Sequence, residues 1–261
     1  MPSLSMLLFN LARRKMGTPR LHRTAAQVRR QELTAELQAS LGDKVLAGPF
    51  AGMVLPADKS WRDGDFMPKL IGSYESNLRE ALARAVKREP VTVINVGCAE
   101  GYYAVGLARL LPHATVYAFD IATEAGVICA RAAGENGVAQ RVIVDGRCTT
   151  EHLAKMMENP GRTLLVMDCE GAERELLDPA RVSGLAKCDV IVETHGADII
   201  AELEARFRSS HEVNRIAQGG RDPNEVPALR QLAESDRWLL VDEGRPESMV
   251  WLALWAKNSS R

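Results

Sequence analysis

The sequence predicts a doubly wound α/β fold, and three observations carry that expectation. Between Pro90 and His195, apolar strand-like runs alternate with segments whose apolar residues recur three and four apart, the pattern of a parallel sheet covered by helices. The first run ends in a tight turn, Gly97 to Gly101, that leads straight into a helix. Two later apolar runs flank a polar, loop-rich stretch, as an antiparallel closing pair at one edge of the sheet would.

From Met1 to about Ser40 the pattern is helical and basic, with Arg20, Arg23, Arg29 and Arg30 among Ala, Leu and Gln and a break at Gly17-Thr18-Pro19. It reads as a solvated helix face rather than a membrane or partner surface, because only the stretch MLLFNL approaches an apolar stripe. Short apolar runs between Gly42 and Asp63, punctuated by Gly and Pro, predict a small strand pair. Residues 1–63 are therefore a mainly helical extension ahead of a main domain over 64–261.

In that domain Tyr74 to Lys87 has helical spacing, with Leu78, Ala81, Leu82 and Ala85 on one face and Pro90 just beyond its end. Strands are expected over 91–96, 114–120, 141–145, 163–168 and 189–195. Helices fall between them, over Tyr102 to Leu111, Thr123 to Asn136, Thr149 to Glu158 and Ala172 to Leu177, linked by right-handed crossovers. The closing pair is 211–217 and 249–257, with a short helix over Val226 to Glu234 between them. Trp251 and Trp255, four apart on one strand face, read as packing residues.

A chain of 261 residues with 46% hydrophobic content can bury one substantial core plus an appendage. Thirty-three basic against thirty-four acidic side chains remove the bulk attraction that dominates nucleic-acid binding, so nucleic acid is not an expected partner. Five cysteines with no C-x-x-C pair argue against a disulfide framework or zinc knuckle. No apolar tract is long enough for a membrane span, and the charge of Arg13, Arg14 and Lys15 follows rather than precedes the first one. The expected location is the cytoplasm.

The turn Asn95-Val96-Gly97-Cys98-Ala99-Glu100-Gly101-Tyr102 removes Cβ atoms where the backbone must bend close to a ligand and opens on a helix N-terminus with free N–H donors. A nucleotide-like molecule fits there. The G-x-x-x-G spacing differs from G-x-G-x-x-G, so a nicotinamide or flavin dinucleotide is not indicated. The second strand ends at Asp120, where a carboxylate can accept from both hydroxyls of a ribose, with Ile121 beside it; an ordinary helix cap is the competing role. Asp145 and Gly146 end the third strand, as an adenine pocket or as a turn pair.

On the segments VINVGCAEGYYAVGLARLLP, VYAFD, AAGENGV, LLVMDCEGAERELL and VIVETHG, the chain resembles the class I S-adenosylmethionine-dependent methyltransferases, and among them the FkbM-type family. The likeness covers roughly Lys69 to His195, and Asp-x-Glu-Gly-Ala-Glu is its most specific motif. It implies a Rossmann-like seven-strand methyltransferase sheet with S-adenosyl-L-methionine over the C-terminal strand ends. It also implies a hydroxyl acceptor beyond the sulfonium, on a small molecule, a glycan or a natural-product scaffold. Lys69, Tyr74 and Glu75, in a segment the likeness reaches, are expected to fold over the cofactor. The chain departs from many relatives at Asn95, where they carry an acid; Glu100 or another acid is the alternative partner for the methionine ammonium.

Methyl transfer from a sulfonium is an in-line displacement, so the protein must align donor and acceptor and deprotonate a hydroxyl. Alternation along the fifth strand puts Glu193 and His195 on one side, next to Asp168 at the end of the fourth. His195 is the expected general base, with a carboxylate to orient it. The same three side chains suit a divalent metal such as Mg as an alternative. Glu170 and Glu173 open the next helix, and Glu173 is expected to complement its dipole. An N-methyltransferase, or a non-catalytic adenosylmethionine- or partner-binding module, are the rival readings. Without an Asn-Pro-Pro-Tyr-like loop after the fourth strand, family pattern disfavours a base-modifying DNA enzyme.

Overall fold

Seven strands form one mixed sheet in the order β3-β2-β1-β4-β5-β7-β6. They are β1 Thr92–Val96, β2 Thr115–Phe119, β3 Val142–Asp145, β4 Thr163–Met167, β5 Asp189–Thr194, β6 His211–Ala217 and β7 Val250–Ala256. The first five run parallel, while β7 is antiparallel to both β5 and β6. The computed structural model describes residues 24–56, 65–158, 162–245 and 249–257. The expected doubly wound α/β class and the antiparallel closing pair are both observed.

The α-helices are α1 Ala25–Leu41, α2 Phe66–Ile71, α3 Arg79–Lys87, α4 Tyr102–Leu110, α5 Thr123–Glu135, α6 Thr150–Met156, α7 Glu173–Leu176, α8 Ala197–Phe207 and α9 Glu234–Val241. Alternate residues of the central strands supply two cores. Val93, Leu164, Val166 and Ile191 face a layer built from α1 to α5 and α9, whereas Ile94, Leu165, Met167, Val190 and Val192 face α6, α7 and α8. Burial on both faces is why these strands are continuous apolar runs. Leu33 and Leu37 of α1, with Val45, Phe50, Met53 and Leu55, share the first of these cores, so the described part of residues 24–56 is packed into the same body as the sheet.

Several expectations are corrected. The helix expected from Tyr74 begins only at Arg79, after a 3-10 turn over Ser76–Leu78, and Glu75 precedes it in the left-handed region at φ 43°. The strand pair expected near residues 42–63 reduces, among the described residues, to one antiparallel bridge between Lys44 and Val54. The short helix expected over 226–234 is instead two 3-10 turns, Pro223–Glu225 and Pro227–Leu229, followed by α9. Proline opens each turn, and a proline at 227 has no N–H with which to extend a helix from the first turn. Helices α2 and α8 were not expected; Ile199, Leu203 and Phe207 of α8 repeat four apart and are buried. The basic stretch before residue 24 lies outside the described residues. Among the described residues no helix is long and apolar enough to cross a membrane.

Candidate active site

Register aligns the C-terminal ends of the parallel strands into one row. Val96 pairs with Phe119 and Met167, Phe119 with Asp145, and Met167 with Val192. The next residues, Gly97, Asp120, Gly146, Asp168 and Glu193, therefore stand side by side along that edge. This is the crevice where open parallel sheets hold ligands.

The turn after β1 is tight for a physical reason. Gly97 has φ 80°, and a Cβ there would lie 1.6 Å from the Asp168 carbonyl oxygen, so the ends of β1 and β4 can meet only without a side chain. Gly97 and Cys98 both donate to Phe119 O, at 2.8 and 2.9 Å, and Gly101 caps α4 in the left-handed conformation. Asp120 braces the turn: Oδ2 accepts from Ala99 N at 2.9 Å and Oδ1 from Ala122 N at 2.8 Å. Its carboxylate thus shapes the crevice wall and keeps further lone pairs. Ile121 beside it is 71% exposed, an apolar side chain standing open on the crevice rim. Gly146 N donates to Asp145 Oδ1 at 2.7 Å, and the chain bends at Gly146 at the end of β3.

Asn95 is buried in the sheet, 1% exposed; Nδ2 donates to Val166 O at 3.3 Å, and Oδ1 has no hydrogen-bond partner among the described residues. Glu100 is ion-paired with Lys69, whose ammonium also lies 3.3 Å from Asp65 Oδ2 and 4.7 Å from the centre of the Tyr74 ring. Burial pulls the Lys69 ammonium down, but Glu100 and Asp65 outweigh it and leave it above the ordinary lysine range. The Tyr102 ring packs edge-on against Phe50 at 5.0 Å and Tyr74 at 5.3 Å, so the part of Tyr102 nearest the crevice is its backbone at the start of α4. Lys69, Tyr74 and Tyr102 thus pack against one another and are joined to the glycine turn through the Lys69–Glu100 pair.

Beyond Asp168 lies a dense charged cluster. Asp168, Glu193 and His195 each place a ligand atom within 4.8 Å of the others, bringing together the three residues expected for catalysis. The spacing is near that of a shared divalent cation, although Arg245 already occupies one oxygen of Glu193. Burial first, then the charge and hydrogen bond of Asp168, push Glu193 up to about 9 against the pull of Arg245. His195 stands just past the end of β5; Nδ1 is 2.6 Å from Glu173 Oε1 and Nε2 is 3.6 Å from Glu193 Oε2. The hydrogen bond to Glu173 raises the imidazole above its ordinary range despite partial burial.

Two residues of this cluster escaped the sequence reading. Glu173 was assigned to a helix dipole, yet it is wholly buried against His195 and opens a helix of only four residues, too short for a substantial macrodipole. Arg245, in the loop between α9 and β7, ties Glu193, Glu75 and Glu243 together, the last at 3.0 Å. Glu75 also accepts from Tyr103 Oη, and its N–H donates to Glu243 Oε1 at 2.8 Å, so its carboxylate is held inside this network. Burial, offset by Arg245, pushes Glu75 up to about 7. Arg221, 2.5 Å from Glu243, completes the network. No sequence motif marks Arg245, whereas the Asp-x-Glu-Gly-Ala-Glu run did contain Glu173.

No family model matches the chain, and no curated protein matches it. Among solved structures it is similar to the O-methyltransferase TomG of Streptomyces achromogenes, solved with SAM, at 12% identity and TM-score 0.46 over 97% of this chain and 96% of that one. It is also similar to an O-methyltransferase of Bacillus cereus, solved with SAH, at 12% identity and TM-score 0.45 over 95% and 97% of the two chains. A domain of a putative precorrin-6Y C5,15-methyltransferase of Corynebacterium diphtheriae gives 15% identity and TM-score 0.46 over 70% and 98%. At such identities and TM-scores the chain's own geometry must carry its function.

Proposed function

We propose that this chain is an S-adenosylmethionine-dependent methyltransferase that O-methylates a hydroxyl on a small molecule, sugar or natural-product scaffold. The observation that carries the reading is the row of strand ends. A glycine turn braced by Asp120 stands beside a partly buried Asp168–Glu193–His195 cluster on the same edge of the sheet. The first half suits a nucleoside with an amino-acid tail, and the second suits removal of a proton.

The residues present fit that cofactor. The open N-terminus of α4 offers N–H donors, Asp120 has spare acceptor capacity for a ribose, and Ile121 offers an exposed apolar contact for a base. The orphaned Asn95 Oδ1 is a buried acceptor that lacks a donor, and an ammonium N–H would supply one. Asp145 and Gly146 continue the same wall at β3. When bound, S-adenosylmethionine supplies an electrophilic methyl group on a positively charged sulfur. The chain's own task is to hold the acceptor in line and to take its proton, which falls to His195 Nε2, with Asp168 and Glu193 alongside. The acidic surroundings favour a neutral or cationic acceptor over an anionic one.

The test is isothermal titration of the full chain with S-adenosylhomocysteine, with NAD as a parallel ligand. Micromolar binding of the first and none of the second is expected. Binding of NAD alone, or of neither, would remove the cofactor assignment. Methyl transfer from a labelled donor to a panel of hydroxylated acceptors, abolished in His195→Gln, then checks the reaction.

A further inference from the structure

Within the Asp-x-Glu-Gly-Ala-Glu run, the last acid does something that a position at a helix start does not explain. Its carboxylate is 0% exposed, and Oε1 lies 2.6 Å from His195 Nδ1 while also accepting from Gly171 N at 3.1 Å. The backbone turns sharply to deliver it there, with Glu170 at φ 55° and Gly171 at φ 113°. A buried carboxylate so placed cannot be satisfied by solvent, so its hydrogen bonds must come from protein donors. The imidazole Nδ1 is the side-chain group within reach of Oε1.

We propose that Glu173 is a positioning residue for His195: it accepts the Nδ1–H, fixes the tautomer that leaves Nε2 bare, and thereby makes Nε2 the atom that receives the acceptor's proton. The proposal rests on the reading of His195 as the proton acceptor and deepens it. In the step, the acceptor's O–H bond breaks, the proton goes to Nε2 and the electron pair stays on the oxygen, which bonds to the methyl carbon as the methyl–sulfur bond breaks and its pair leaves on sulfur as a neutral thioether. The resulting imidazolium lies between the Glu173 carboxylate at Nδ1 and the Glu193 carboxyl group, 3.6 Å from Nε2. A buried carboxylate that holds an imidazole by Nδ1 performs the same two tasks, orientation and charge stabilisation, in hydrolytic triads.

The charged groups facing His195 come from three directions. Glu173 approaches from α7, Asp168 and Glu170 from the turn after β4, and Glu193 from β5, with Arg245 reaching the cluster through Glu193. Among them Glu173 makes the leading contribution to the raised imidazole. Burial alone would lift Glu173, but the bonds from His195 and Gly171 hold it below the ordinary carboxylate range.

The experiment is nitrogen-15 NMR of the imidazole rings in the full chain across the titration range. The five histidines are sorted by the signals lost in His195→Gln. In the unsubstituted protein the neutral His195 ring is expected to carry its proton on Nδ1. In Glu173→Gln, whose amide oxygen can still accept, the same tautomer should persist. In Glu173→Ala the preference for Nδ1–H should be lost as well. A neutral ring protonated on Nε2 in the unsubstituted protein, or an Nδ1–H preference unchanged in Glu173→Ala, would overturn the proposal. The tautomer of the unsubstituted protein needs neither Glu173 variant, so it decides the matter even if both of those substitutions prevent folding. Failure of S-adenosylhomocysteine to bind would sink the methyltransferase reading and leave these ring signals as they are, so the two failures are distinguishable.

Discussion

Replacing Gly97 by alanine tests whether the crevice depends on the close meeting of β1 and β4. The new Cβ would stand 1.6 Å from the Asp168 carbonyl oxygen and 2.7 Å from its carbon, so the two strand ends must part by roughly 1.5 Å or more to reach ordinary contact. Parting them breaks the bond from Asp168 N to Val96 O, now 2.9 Å, in a buried setting. That loss costs about 1–3 kcal/mol. The left-handed backbone adds about 1–2 kcal/mol for a residue with a side chain. The sum is about 2–5 kcal/mol, with displacement of Asp168 besides.

Two other glycines separate these contributions. Gly137 has φ 68° with nothing within 4 Å of a Cβ, so Gly137→Ala should lose only the backbone part. Gly146 has neither a left-handed backbone nor a close neighbour, so Gly146→Ala should stay within about 0.5 kcal/mol of the parent. Urea denaturation of the three variants, with S-adenosylhomocysteine titration of each, measures both effects. Gly97→Ala should be the least stable and lose binding. If it is no less stable than Gly137→Ala and binds as the parent does, the steric account of the turn is refuted.

Two further predictions follow from the electrostatics. Asp120→Ala leaves the N–H groups of Ala99 and Ala122 without their acceptor and should weaken S-adenosylhomocysteine binding by about tenfold or more, with Asp120→Asn between it and the parent; unchanged affinity in calorimetry would disconnect the brace from the ligand. Glu193, pushed up to about 9 by burial and Asp168 from an ordinary value of 4.5, holds a proton in the folded state that the unfolded chain releases. Stability should therefore fall as pH rises from about 5 to about 9, with Glu75 contributing up to about 7. Urea midpoints at about pH 6 and about pH 9 should differ less in Glu193→Gln than in the parent, and an equal difference would contradict the assignment.

What the sequence disclosed depended on how many faces of an element are buried. Strands β1, β4 and β5 are covered on both sides and appear as unbroken apolar runs, so their ends were placed within a residue or so. Val226 and Leu229 are buried too, but they flank Pro227, and their spacing imitates a helix where 3-10 turns occur. Helix α2 was hidden by Pro68, which reads as a break although the first turn of a helix tolerates it. The strand-end cluster was legible because neighbouring strand ends and a two-residue alternation dictate it. Arg245 was not, because it reaches Glu193 and Glu75 from 52 and 170 positions away through a loop without a motif. Glu173 shows a different limit: an acid at a helix start and an acid that holds an imidazole are the same letters.

The placement of β7 bears on how the chain is made. It is the last of the seven strands to be synthesised, yet it lies between β5 and β6. Until Val250–Ala256 leaves the ribosome, the outer edge of β5 is an open template and β6 has no neighbour to join. Nascent protein paused before that point displays unpaired backbone and the apolar seats of Trp251 and Trp255, a natural target for a chaperone and a hazard without one. Arrival of that one strand pairs both edges and buries both indoles, so tryptophan fluorescence would register the closing step of biogenesis.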